Sequence, residues 1–322
     1  MKKHLISLAA AAATSVLAGA AVAQDEYPNQ SITMVVPFSA GGPTDTVTRL
    51  ITEPMGQVLG QGFVVQNVTG AGGTVAAGQV ANAPADGYTV LIHHIGMSTA
   101  PTLYPNLPYD PLEDFETVGL VTEVPMTIIA RKDFPAEMID YVKANPDEVT
   151  LANAGIGAAS QLCGMLFMDA IGTQITTVPY PGTGPALTDL VGGQVDIMCD
   201  QTTNTTGQIL GGEVKAYAVT AEVRLENLPD VPTTAEAGLG DFQLRIWHGL
   251  YVPAGTDEAI VQKLSSAVHT ALQEQNVSDR FAELGTTTVS QERATPELHT
   301  EMLSSQIELW RPIIQEAGVS AE

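Results

Sequence analysis

Three short segments of this 322-residue chain contain the residue types from which an anion site can be made without any cation. They are 38–45, 155–160 and 181–185. Each is rich in glycine or other small residues, and each lies between an apolar β-type run and a helical run. The first turn of a helix has backbone N–H groups with no intrahelical partner, and the helix dipole places partial positive charge there. Small side chains let a ligand come close to those groups, so such a segment binds carboxylate or phosphate without Arg or Lys. One glycine-rich turn alone usually reflects turn geometry. Three in one chain point to an anion.

Other chemistry finds little support. The chain has no G-x-S-x-G elbow, no G-x-x-x-x-G-K-[ST] loop, no H-E-x-x-H and no C-x-x-C. Gly155-Ile156-Gly157 with Ser160 lacks the third glycine of a dinucleotide fingerprint. Asp45 could act as a general base, but Arg49 stands four residues on, and ordinary helix-surface pairing is the preferred reading. His93 and His94 are adjacent, so a regular strand would point them to opposite faces and away from one shared ion. The structural expectation is that one is buried and hydrogen-bonded and the other solvated. Cys163 and Cys199 have no His or Cys at zinc-like spacing. In an oxidising compartment they either pair or stay as two small buried thiols. No metal and no cofactor is expected.

The elements that must position these loops alternate. Strand-like runs at 31–36, 63–66 and 88–92 enclose helical runs at 44–59 and 74–82. Pro43 suits the first turn of the earlier one, where a missing N–H costs little. The alternation resumes with strands at 126–130, 149–153, 175–178, 195–199 and 214–220, and helices at 159–171 and 183–190. A last strand at 246–252 precedes a helical tail at 257–274, 277–284 and 295–317. Such alternation indicates βαβ units and mainly parallel sheets flanked by helices. The tail has no strands of its own, so it is expected to return and cover the first unit. The fold class is therefore α/β with two lobes, 24–124 plus 248–322 and 125–247. Two hinge crossings join them, near 122–125 and 247–250, and the cleft between the lobes is the natural ligand site.

Composition bounds the partners. Asp and Glu number 36 against 13 Lys and Arg, for a net charge of −23. That excludes a chain-wide basic face for nucleic acid, disfavours an anionic membrane surface, and favours a soluble monomer. At the start, Lys2 and Lys3 precede an apolar, alanine-rich run and then Ala21-Val22-Ala23. This is the pattern of a secretory signal peptide, residues 1–23, cleaved after Ala23. The run is short for a membrane span. The expected location is the periplasm.

At the loops the chain resembles the Bug/TctC family, periplasmic solute receptors of tripartite tricarboxylate transporters. The resemblance opens with Tyr27-Pro28, Val35-Val36-Pro37-Phe38-Ser39-Ala40-Gly41-Gly42 and Asp45. It continues through Gly70-Ala71-Gly72-Gly73, Ala85-Asp86-Gly87-Tyr88-Thr89, Leu107-Pro108-Tyr109-Asp110-Pro111 and Val178-Pro179-Tyr180. Gly192-Gly193-Gln194-Val195-Asp196, Leu228-Pro229-Asp230-Val231-Pro232-Thr233 and Pro253-Ala254-Gly255-Thr256 extend it over nearly the whole chain. The resemblance implies a two-lobe Venus flytrap of the type II periplasmic-binding-protein kind and no catalysis. It implies capture of a small mono-, di- or tricarboxylate and transient delivery to a membrane permease. By position it points to Ser39, Ala40, Thr44, Asp45 and Thr74 in the first lobe. In the second it points to Gly157, Ala158, Ser160, Tyr180 and Asp200.

Many relatives carry a hydroxyl residue where Ala158 stands and a histidine where Gln161 stands, so only backbone contact is assigned at 158. His94 and Ser98 follow the third strand within reach of the cleft, and Thr202 could offer a hydroxyl to the far end of a ligand. Asp200 is read either as a partner for a ligand amine or as an acceptor for nearby backbone N–H groups, the latter preferred. Trp247 and Tyr251 are read as hinge packing. The alternatives to a transport receptor are a ligand sensor feeding a membrane kinase and, less favoured, a periplasmic enzyme with Asp45 or His94 as base.

Overall fold

The computed structural model describes residues 27–240 and 242–321; the proposed signal peptide, 1–23, lies outside the described residues. β1 (Ile32–Val36) leads into α1 (Pro43–Leu59), then β2 (Phe63–Asn67), a 3-10 turn at Ala71–Gly73, α2 (Thr74–Ala81), β3 (Thr89–His94) and α3 (Gly96–Leu103). β2, β1 and β3 pair in parallel, as βαβ units require. α1 buries Val47, Ile51, Met55 and Leu59, one face at four-residue spacing, and packs on the later helix α8 (Glu258–Gln273). Pro43 occupies its first turn, and Gly60, at φ 69°, ends it in the left-handed conformation.

β4 (Phe115–Arg131) follows and runs through both halves of the molecule. After it come α4 (Met138–Ala144), β5 (Thr150–Asn153), α5 (Ala159–Ile171), β6 (Thr176–Pro179), α6 (Thr183–Val191), β7 (Ile197–Gln201), α7 (Thr202–Leu210) and β8 (Val214–Val219). β6, β5 and β7 form a second parallel triplet. The chain then returns through β9 (Arg245–Pro253), α8, α9 (Gln275–Glu283), the short β10 (Thr287–Thr288) and α10 (Pro296–Ala317). The strand order is β2-β1-β3-β9-β4-β7-β5-β6, with β8 and β10 also pairing β4. Each triplet is parallel within itself; the crossing strands β4 and β9 join antiparallel to their neighbours. In the tail, α8 packs on α1 and β4, and α10 packs on β4 and α3.

The passage between halves is narrow. Up to Pro125, β4 pairs with β9; from Met126 it pairs with β7. Pro125 sits at that change of partner, a position where proline's missing N–H is tolerated. The return falls near Arg245, opposite Pro125, because His248–Tyr251 are already paired with β3. Thr220 clamps the two passages. Its hydroxyl donates to the Leu244 carbonyl at 2.6 Å, and its oxygen accepts the Met126 N–H at 2.9 Å. Cys163 of α5 and Cys199 of β7 form a buried disulfide, with Cα atoms 5.9 Å apart. Among the described residues, no helix is long and apolar enough to cross a membrane.

Candidate functional site

α1, α5, α6 and α7 each follow a strand of a parallel triplet, so they begin at the carboxyl edges of those strands, where open α/β sheets place their ligands. Their first turns meet. Pro43 and Thr44 of α1, Ala158–Ser160 at the start of α5, Thr183 of α6 and Gln201 before α7 surround one void. Phe38, His94, Ala154 and Asp200 complete its wall. The void is tight, with about 10 Å³ of space for the centre of a water. The residues just before these helices, Gly42, Ala158, Gly182 and Gln201, make no side-chain cap bond. α8 and α10, far from the void, are capped by Asp257 and Thr295 in the ordinary way. α4 and α9 also lack a side-chain cap, so the distinguishing feature is convergence on one point. No Lys or Arg lines the void.

The side chains in the wall are set by local geometry. The Ser160 hydroxyl oxygen accepts the Ala154 N–H at 2.9 Å. His94 Nδ1 accepts the Gly96 N–H at 3.0 Å, which leaves the proton of the neutral ring on Nε2 as a donor. The ring stacks on Phe38 at 4.8 Å between centroids. Behind it, His93 Nδ1 accepts the His94 N–H at 2.8 Å, and His248 Nε2 lies 3.3 Å from Thr44 Oγ1. Burial lowers the pKa of all three, to about 4 at His93, about 3 at His248 and well below the ordinary value at His94. The expectation of one solvated histidine is corrected: His93 and His94 are both buried, because the strand lies between the helix layer and the cleft. Asp200 is 1% exposed, and its carboxylate accepts from Asn204 Nδ2 at 2.5 Å. Burial pushes its pKa up to about 7, outweighing hydrogen bonds from Asn204, Gln201 and Thr183.

Of the residues singled out from sequence, the void gathers Thr44, His94, Ala158, Ser160 and Asp200. The others lie outside its wall. Asp45 accepts the Gly41 N–H at 3.0 Å, pairs with Arg49 at 2.9 Å, and accepts from Asn67. Burial would raise its pKa, but those bonds and the Arg49 charge hold it below the ordinary value. Ala40 is exposed, Thr74 donates to the Ala71 carbonyl, and the buried Ser98 donates to the Ile95 carbonyl. Thr202 donates to the Gly285 carbonyl, and Tyr180 to Asp189. Gly157 gives its N–H to Gln161, and its carbonyl accepts from Thr99. Thr183 and Gln201 were not singled out. Their signal is the start of a helix: Thr183 lies inside the third glycine-rich segment, while the threonine-rich run after Gln201 carries no helical signal in the sequence.

The halves touch around the void. The Ser39 N–H donates to the Pro181 carbonyl at 3.2 Å, and Tyr104 Oη donates to the Ile156 carbonyl at 2.8 Å. Two glycines allow this approach. A Cβ at Gly182 would lie 2.1 Å from Ser39 Oγ, and one at Gly72 1.9 Å from the Ile156 carbonyl oxygen. Ser39 Oγ is buried without a hydrogen-bond partner. The arrangement suits an anion gripped from both sides by uncharged donors.

Comparison with known proteins gives a consistent picture. Residues 47–319 match the profile described as Tripartite tricarboxylate transporter family receptor. A protein of the TAR-I ttuE-ttuC' intergenic region of Agrobacterium vitis is 51% identical, over 94% of this chain and 89% of its own. The solved periplasmic binding protein BugD is 48% identical, covers 92% of this chain and 100% of its own, and superposes with a TM-score of 0.90. MatC of Rhodopseudomonas palustris, solved with malate bound, is 43% identical over 89% of this chain and 100% of its own, with a TM-score of 0.86.

Proposed function

The chain belongs to the tripartite tricarboxylate transporter receptor family, and from that premise we propose that it is a periplasmic receptor for a small dicarboxylate, which it hands to a membrane permease. The observation that carries the reading is the meeting of four helix starts, none capped by a side chain, on a void that no Lys or Arg lines. Each start supplies unpaired N–H groups and the positive end of a dipole, which together favour an anion at contact. The malate held by MatC supports a four-carbon diacid. Proteins of this kind close on their ligand because only the closed form lets both halves touch it at once.

Hydrogen bonds to a charged group contribute about 1.5–3 kcal/mol each. Several of them, less the costs of association and ordering, reach the roughly −8 kcal/mol of micromolar binding. The net charge of −23 opposes a distant anion, but salt limits that field to about 8–10 Å. The local donors therefore decide affinity, and the field affects only the rate of encounter.

The test is a thermal-shift series on the purified chain with malate, succinate, adipate, citrate and benzoate. A concentration-dependent rise, largest for malate and succinate, is the expected outcome. A flat response to every acid, or chemical conversion of one of them, would remove the reading.

A further inference from the structure

The void presents an anion with a second negative group. Asp200 lies in its wall, 1% exposed, next to last in β7 and just before Gln201, the residue that leads into α7. No cation faces it. α5 contributes Ser160 and α6 Thr183, α7 contributes Asn204, and the paired strand β4 presents Thr127. The titratable group across the void is His94, with His93 and His248 behind it. All three are held neutral by burial and so supply no positive charge to offset a carboxylate.

Two carboxylates sharing one buried void, with no cation between them, disfavour the doubly ionised state and raise the pKa of the group that takes the proton. Given the dicarboxylate reading above, we propose that Asp200 meets the bound ligand as the neutral acid and donates its O–H to the ligand's carboxylate. Capture then takes up one proton from solvent. Asn204 donates to one carboxylate oxygen, and Gln201 N–H and the Thr183 hydroxyl also donate to the group, so the acid O–H is offered to a ligand oxygen that enters beside Thr183. The elevated pKa of the unliganded group, about 7, means that little further shift is needed. Asp200 thereby becomes a specificity residue. An acceptor oxygen of the ligand at that position gains a hydrogen bond from the acid O–H.

The sign follows from linkage. The ligand raises the pKa of Asp200 above its unliganded value, so uptake occurs between the two. Below about pH 6 the group is already neutral and affinity is flat. Above about pH 8 affinity falls by roughly tenfold per pH unit until the liganded pKa is passed. Calorimetric titration of malate at pH 8, in two buffers of different ionisation enthalpy, should report close to one proton taken up per ligand bound. Asp200→Asn mimics the neutral acid. It should bind malate with no proton uptake and no pH dependence, and at pH 9 it should bind tighter than the parent.

Normal malate binding with no proton uptake at any pH overturns the proposal and leaves the receptor reading intact. Uptake that persists in Asp200→Asn overturns it in favour of His94. No heat with malate removes it together with the dicarboxylate reading. If the variant does not fold, the buffer pair on the parent chain still decides.

Discussion

Ser160 serves two purposes with one hydroxyl. Its oxygen accepts the Ala154 N–H, which fixes the turn into α5, and its proton remains for a ligand in the void. Ser160→Ala should therefore lower both stability and affinity. The buried Ala154 N–H would lose its acceptor, a cost of about 1–3 kcal/mol in urea denaturation. Malate affinity by calorimetry should fall by roughly tenfold as a donor to a charged group is lost. At this scale the sequence was readable where a contact is local. Asp45 and Arg49 pair at the spacing that helix surfaces favour. It was not readable where a contact depends on strand register. His248 reaches Thr44 only because β9 is aligned so that His94 and His248 face each other. Tyr180, Ser98 and Thr202 carry suitable groups, but nearby backbone and side-chain acceptors take them up.

The elements show the same division. The parallel triplets and the long amphipathic helices announce themselves by alternation and periodicity. β4 does not: Gly119, Glu123 and Pro125 interrupt it as a turn would, yet it runs unbroken because two different sheets each stabilise one half. α7 was hidden by composition, since its Thr-Thr-Asn-Thr-Thr start is poor helix material. Packing overrides that propensity, with Thr205 bonded to Thr127 and to the Gln201 carbonyl. The same strands set the hinge. Replacing Thr220 with Val keeps the shape but removes the acceptor for the Met126 N–H and the donor to Leu244. The expected result is a loss of about 1–3 kcal/mol in equilibrium unfolding. Faster ligand release in stopped-flow measurements should accompany it, because the clamp that aligns the two passages is weakened.

Across the whole molecule, closure depends on backbone touching backbone. Gly182 has an extended φ of 169°, which any residue can adopt, so Gly182→Ala adds no local strain. Its Cβ would nonetheless collide with Ser39 across the cleft. The variant should melt normally without ligand, bind malate at least tenfold more weakly, and fail to contract in small-angle scattering when ligand is added. A contraction equal to that of the parent would show that the two loops need not meet. The disulfide bears on the same assembly in a different way. Cys199 immediately precedes Asp200, and Cys163 lies in the first turns of α5, the helix that carries Ser160. The bond welds these two parts of the second half into one unit before any metabolite arrives. Material folded in a reducing cytosol lacks that weld, so it is not an interchangeable reagent with material exported before folding, although the two share every residue.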